Sequence, residues 1–222
     1  ALDGLFQAAA AHGLDIDLHV DESASPDART LEAIADAALR QQFSGKILCG
    51  HCCSLALLDD IDRARVIEKL AAARIAIVSL PMCNLYLQDR RAGLTPRWRG
   101  VAPLHELHEA GVPVMIASDN TRDPFYAYGD LDMLEVMREG TRILHLDHPH
   151  GRWLDTVSTT PAQIMGIAPP ALIAGAPADC ILVGARSCNE LLARPWSDRV
   201  VLRTGRAIDR TLPDYRETDR FV

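Results

Sequence analysis

Four short β-rich runs recur along this chain at intervals of about thirty residues, with helical periodicity in the segments between them. They are LDIDLHV (14–20), KILCG (46–50), RIAIVSLP (74–81) and VPVMIAS (112–118). Parallel neighbours need crossovers of a dozen or more residues, which helices supply. The spacing therefore predicts a parallel α/β sheet, either open or closed into a barrel. Ser25-Pro26-Asp27 is expected to cap and start the first connecting helix, LEAIADAAL, which Gly45 ends. Residues 59–73, 103–111, 131–146 and 154–166 also read as helical, and ALDGLFQAAAAHG at the start reads as the end of an amphipathic helix. Residues 82–100 read as a long loop carrying Arg90, Arg91, Arg97 and Arg99.

The last fifty or so residues break this rhythm. APADCILVG (176–184) and RVVLRTGRAI (199–208) are short β runs with turn residues and no helix expected between them. The expected organisation is thus α/β over residues 1–170 and a separate small β segment over 171–222.

Composition removes several classes. A chain of 222 residues with 48% hydrophobic content and mixed charge is no disordered tail. Its net charge of -7 argues against a general binder of nucleic-acid backbones. No uncharged apolar run approaches the roughly 20 residues of a membrane span, so no membrane partner is expected. Cys49-Gly-His-Cys52 has no second pair to complete a structural zinc site. The six cysteines read as buried reduced thiols, which points to a cytoplasmic compartment. The first residue is Ala1 rather than Met, so these residues are expected to continue a longer polypeptide.

The polar residues at the strand ends carry the functional reading. The first run ends in His19, followed by Asp21 and Glu22; the second ends in His51; the third leads into Asn84; the fourth ends in Asp119. In α/β barrels the C-terminal strand ends converge on one rim and deliver the reacting groups. Imidazole and carboxylate are ligands for zinc or iron, and such a metal makes hydroxide available near neutral pH. Glu22, three residues beyond His19, is placed to move protons. His19 and Asp119 make only two ligands, where a catalytic zinc takes three or more from protein.

Other clusters are weaker. His105 and His108 have the wrong spacing for two ligands on one helix face, and a solvent-facing helix is expected there. His145, His148 and His150 read as a loop after a helix end. No glycine-rich phosphate loop or G-x-S-x-G elbow is present.

The motifs LHVDES, GHCCSLA, NLYLQDR, TPRWRGV, ASDNTRDPFYAYGD and the APAD strand occur in an order that resembles the cytosine deaminases of the amidohydrolase superfamily. The resemblance implies the later half of a metal-dependent (β/α)8 TIM barrel, roughly strands five to eight, plus C-terminal strands of a small β-sandwich. It implies one divalent metal ion, Zn or Fe, with His19 and Asp119 as ligands. It further implies Glu22 as the acid serving ring nitrogen and leaving ammonia, and His51 as hydrogen-bond partner of the attacking hydroxide. Asn120 would neighbour the substrate, and Phe125 aligns with an aromatic lining the pyrimidine pocket. The implied reaction is attack of metal-bound hydroxide on cytosine or a related amino-pyrimidine, giving the oxo product and ammonia. The implied partners are a small-molecule nucleobase, a homo-oligomeric copy and the N-terminal half of the barrel, whose H-x-H ligand pair is absent here. Asn120 stands where some cytosine deaminases carry another aspartate, which leaves 5-substituted cytosine, isocytosine, creatinine and other cyclic amidines as alternatives. Another amidohydrolase activity on a cyclic amide, or an inactive half-barrel, are the competing readings.

Overall fold

Each of the four β-rich runs is a strand, and the strands lie side by side in chain order. The computed structural model describes residues 1–194, 198–212 and 214–221. Two compact units divide the chain, Ala1–Pro169 and Pro170–Val222. In the first, β1 (Ile16–Val20), β2 (Ile47–His51), β3 (Ile75–Ser79) and β4 (Val114–Ile116) form one parallel sheet in the order β1-β2-β3-β4. The register sets Ile16 against Ile47, Ile47 against Ile75 and Ile77 against Val114. β3 is buried almost throughout, as expected of a parallel strand covered on both faces, whereas β1 at the sheet edge alternates buried Ile16 and Val20 with exposed Asp17. Sequential parallel order is what one arc of a (β/α) barrel requires, because each crossover helix packs outside the pair it joins.

The connecting helices are α1 (Leu2–His12), α2 (Thr30–Gln41), α3 (Asp60–Ala72), α4 (Pro81–Leu87), α5 (Leu104–Glu109), α6 (Met133–Leu144), α7 (His150–Trp153) and α8 (Thr159–Met165). Three sequence expectations change here. α2 begins at Thr30 and is capped from a distance: the Asp21 carboxylate accepts hydrogen bonds from the backbone N–H groups of Thr30 at 3.2 Å and Leu31 at 2.8 Å. Ser25-Pro26-Asp27 forms a local turn instead, its Ser25 Oγ accepting from Asp27 N–H. A charged acceptor makes the stronger hydrogen bond, so the aspartate at the strand end outcompetes the nearer hydroxyl. Residues 81–87 are helix rather than loop, because Pro81 at the first helical position has φ already set and no N–H to lose. His105 and His108 do not face solvent: both rings pack on the fully buried Trp153, and His105 Nε2 lies 2.9 Å from the Leu144 carbonyl.

α2 and α3 are tied by a charge network centred on Glu32. Its carboxylate receives Arg29 at 2.8 Å and Lys69 at 2.9 Å, and also meets Arg65. Partial burial alone would raise the Glu32 carboxyl, but hydrogen bonds from Lys69, Arg65 and Arg29 outweigh it and hold it at about 2 rather than 4.5. A depressed carboxyl contributes stability that is fully present above its unfolded value and lost as pH falls through its folded one. The urea midpoint of the native protein should therefore exceed that of Glu32→Gln above pH 4.5. The gap should close as pH falls toward 2; a gap that does not change with pH would contradict this account.

In the second unit, β5 (Cys180–Val183), β6 (Arg199–Arg203) and β7 (Arg206–Ala207) form a three-stranded antiparallel sheet. A short helix, α9 (Cys188–Ala193), lies between β5 and β6, where none is expected from the sequence. It starts on an S-x-x-E signal, with Ser187 Oγ accepting from the Glu190 N–H. Leu182 and Val200, paired across β5 and β6, are exposed on one face of this sheet, and Ile181 is exposed on the other. Among the described residues, no helix is long and apolar enough to cross a membrane.

Candidate active site

Four non-glycine residues in the left-handed region lie at or just beyond the C-terminal ends of the strands. Asp21 (φ 48°) follows β1, His51 (φ 68°) and Cys52 (φ 52°) end β2, and Asp119 (φ 61°) follows β4. All are non-glycine residues in the left-handed region, which costs on the order of 1–3 kcal/mol each and persists where surrounding structure enforces it. Other non-glycine residues, Gln42, Arg74 and His145 among them, share this conformation at helix ends, so the strain at the strand ends accompanies the site rather than marking it.

The side chains there converge. His19 Nε2 lies 3.0 Å from Glu22 Oε2, and the His19 and His51 ring centroids are 4.0 Å apart. Glu22 Oε1 accepts from Asn84 Nδ2 at 2.9 Å and lies 3.4 Å from His51 Nδ1. Asn84 Nδ2 is also 2.9 Å from His51 Nδ1. The candidate ligand atoms of His19, Glu22 and His51 all fall within 4.8 Å of one another. The cluster is graded in burial: the His19 side chain is 67% exposed, Glu22 19%, while His51 and Asn84 are buried. Burial, reinforced by the neighbouring His19, holds the His51 imidazole below its ordinary value of 6.5 against the opposing pull of Glu22 and Asp119. It is therefore a neutral imidazole near pH 7.

Asp119 stands outside the His19–Glu22–His51 trio, although its charge is felt at His51. Its neighbour Asn120 donates from Nδ2 to Asp123 Oδ2 at 2.5 Å and accepts from the Cys83 thiol at 3.7 Å. Burial first, then the hydrogen bond to Asp119, pushes the Cys83 thiol up to about 12, so it acts as a protonated donor. Phe125 lies on the loop after Asp123, an exposed residue outside the cluster. The structure thus brings together His19, Glu22 and His51, puts Asp119 and Asn120 alongside on the next strand end, and leaves Phe125 apart.

Asn84 was legible at the third strand end but carried no role. Its signal is Pro81: a helix starting there puts Asn84 on the first turn, beside the groups that β1 and β2 deliver. Its Oδ1 is buried without a partner among the described residues, a deficit of roughly 1–3 kcal/mol. The cysteine reading agrees with the structure in part: Cys49, Cys52, Cys53 and Cys83 are buried free thiols, while Cys180 and Cys188 are half-buried.

Strand-end imidazoles and carboxylates on a parallel sheet narrow the family, and the decisive observation is a match of residues 1–203 to the amidohydrolase family model. The chain belongs to the amidohydrolase family. Over all 222 residues this amidohydrolase chain is 60% identical to a pterin deaminase of Rhizobium rhizogenes, of which it covers 51%. Its fold is similar to that of a 5-methylcytosine deaminase from Klebsiella pneumoniae liganded with 5-fluorocytosine, with a TM-score of 0.81 at 26% identity over 96% of this chain and 52% of that one. An N-isopropylammelide isopropylaminohydrolase from Burkholderia multivorans is similar at a TM-score of 0.73 and 26% identity, over 93% and 50% of the two chains. The chain spans about half the length of these relatives.

Proposed function

We propose that these residues supply the proton-transfer side of a hydrolytic deaminase that replaces an exocyclic ring amine by oxygen, with a pterin as preferred substrate. The observation that carries the reading is Glu22 held between His19, His51 and Asn84 at the strand-end rim. A carboxylate within hydrogen-bond reach of several polar partners can carry one proton from water to a ring nitrogen, and then the second, from the hydroxyl of the adduct, to the amine that departs as ammonia. His51, neutral and buried, hydrogen-bonds the oxygen that adds to the ring carbon and steadies its growing negative charge.

The donor set suits a divalent zinc or iron by its chemistry: the ligand atoms of His19, Glu22 and His51 lie within 4.8 Å of one another, and the Asp119 carboxylate follows β4 on the same side of the sheet. His19 and Asp119 would hold the ion, with further ligands contributed by the strands that close the barrel. When bound, such an ion lowers the pKa of water toward neutrality. Glu22 is assigned to proton transfer: its Oε1 accepts from Asn84 at 2.9 Å and its Oε2 lies 3.0 Å from His19 Nε2, so the carboxylate is held at the rim beside the proposed ligand. In this reading the four strands are the later half of a (β/α)8 barrel, and polypeptide beyond these residues completes barrel and site.

The choice of a pterin follows the 60% identical relative. Cytosine and 5-methylcytosine form the second reading, favoured by the likeness to the Klebsiella enzyme. Pterin and cytosine both carry an amine on a ring carbon beside an sp² nitrogen, so the same acid serves either. The test is ammonia release by the gene product carrying these 222 residues, assayed on pterin, cytosine and 5-methylcytosine. Pterin should show the highest kcat/KM; a higher value for cytosine would overturn the substrate assignment.

A further inference from the structure

We propose that Asn84 is the positioning residue of this site, fixing His51 as the tautomer protonated on Nε2 while holding Glu22 in place. Its catalytic consequence rests on the deaminase reading; the tautomer assignment does not.

Asn84 is 0% exposed on the first turn of α4. Its backbone is locked, the N–H donating to the Leu80 carbonyl at 2.9 Å and the carbonyl accepting from Gln88 N–H at 2.8 Å. The side-chain amide faces two acceptors, Glu22 Oε1 and His51 Nδ1, each 2.9 Å from Nδ2. An ionised carboxylate only accepts hydrogen bonds, so the amide nitrogen, with its two hydrogens, must be the atom turned toward Glu22. This orientation leaves Oδ1 without a partner among the described residues, a cost that the two bonds made by Nδ2 must outweigh. Rotating the amide to find Oδ1 a donor would set that oxygen against the carboxylate.

One amide hydrogen goes to Glu22, and the other is directed at His51 Nδ1. That nitrogen must then offer a lone pair, and a neutral imidazole with a bare Nδ1 carries its proton on Nε2. Glu22 Oε1 is also near Nδ1, but at 3.4 Å it is farther than the amide that bridges the two. A single side chain thereby sets which proton His51 can donate and where the Glu22 carboxylate rests. The Nε2–H is the donor that an oxygen adding to the ring carbon requires.

The experiment is nitrogen-15 NMR of histidine rings in the zinc-loaded gene product, with the His51 signals assigned by their loss in His51→Gln. The native protein should show His51 protonated on Nε2 alone. Asn84→Asp offers only oxygens to His51, so the proton should move to Nδ1, and kcat should fall roughly 100-fold or more while KM stays within about threefold. Asn84→Ala, which adds no charge beside Glu22, should leave His51 as a mixture of tautomers. A native His51 protonated on Nδ1, or two variants that keep the Nε2–H signal and native kcat, would overturn the assignment. If the tautomer follows Asn84 in a protein that releases no ammonia, the deaminase reading fails and the positioning role stands.

Discussion

Glu22→Gln will lower kcat for ammonia release by roughly 10²–10⁴-fold, the contribution of a positioned general acid–base. The substitution keeps the size of the side chain and leaves an amide oxygen to accept from Asn84, so the fold and the buried contacts of His51 should survive. What it removes is a group that can take a proton and return it. KM should change little, because the lost interaction belongs to the transition state rather than to substrate binding. Metal content decides between two roles for this carboxylate. Glu22 belongs to the trio with ligand atoms within 4.8 Å of one another, so a ligand role would show as metal loss in the variant. Retained metal with collapsed kcat is the expected result; lost metal would reassign Glu22 as a ligand.

The second large effect is expected at His19, whose exposed side chain is the least supported by neighbouring protein. His19→Ala should abolish stoichiometric metal, and activity with it, since a bound ion supplies several kcal/mol of transition-state stabilisation. Circular dichroism should stay native, because His19 is exposed and its loss opens no cavity. Metal analysis of the purified variant checks this directly. A fully metallated His19→Ala protein would remove His19 from the ligand set.

Most of the scaffold was legible because it rests on local signals. β2 and β3 are apolar runs bounded by glycine, proline or charge, and their order in the sheet follows from the crossover rule rather than from any long-range contact. The elements that escaped depend on partners distant in sequence. The cap of α2 comes from Asp21, nine and ten residues before the groups it binds. His105 and His108 face inward because Trp153 waits on the other side, some forty-five residues on. At the site, His19, Glu22, His51 and Asn84 could all be read from strand ends, whereas the role of Asn84 emerges only from the helix that Pro81 starts and the contacts it makes there. Phe125, placed by resemblance alone, is an exposed residue outside the cluster, as Asp119 and Asn120 are outside its central trio.

The central claim is that this amidohydrolase chain serves deamination, and stoichiometry tests it most directly. The zinc-loaded gene product should release one ammonia for each pterin consumed, leaving the ring closed with oxygen in place of the amine. Ring opening without ammonia, or a metal-loaded protein inert on every amino-heterocycle, would contradict it.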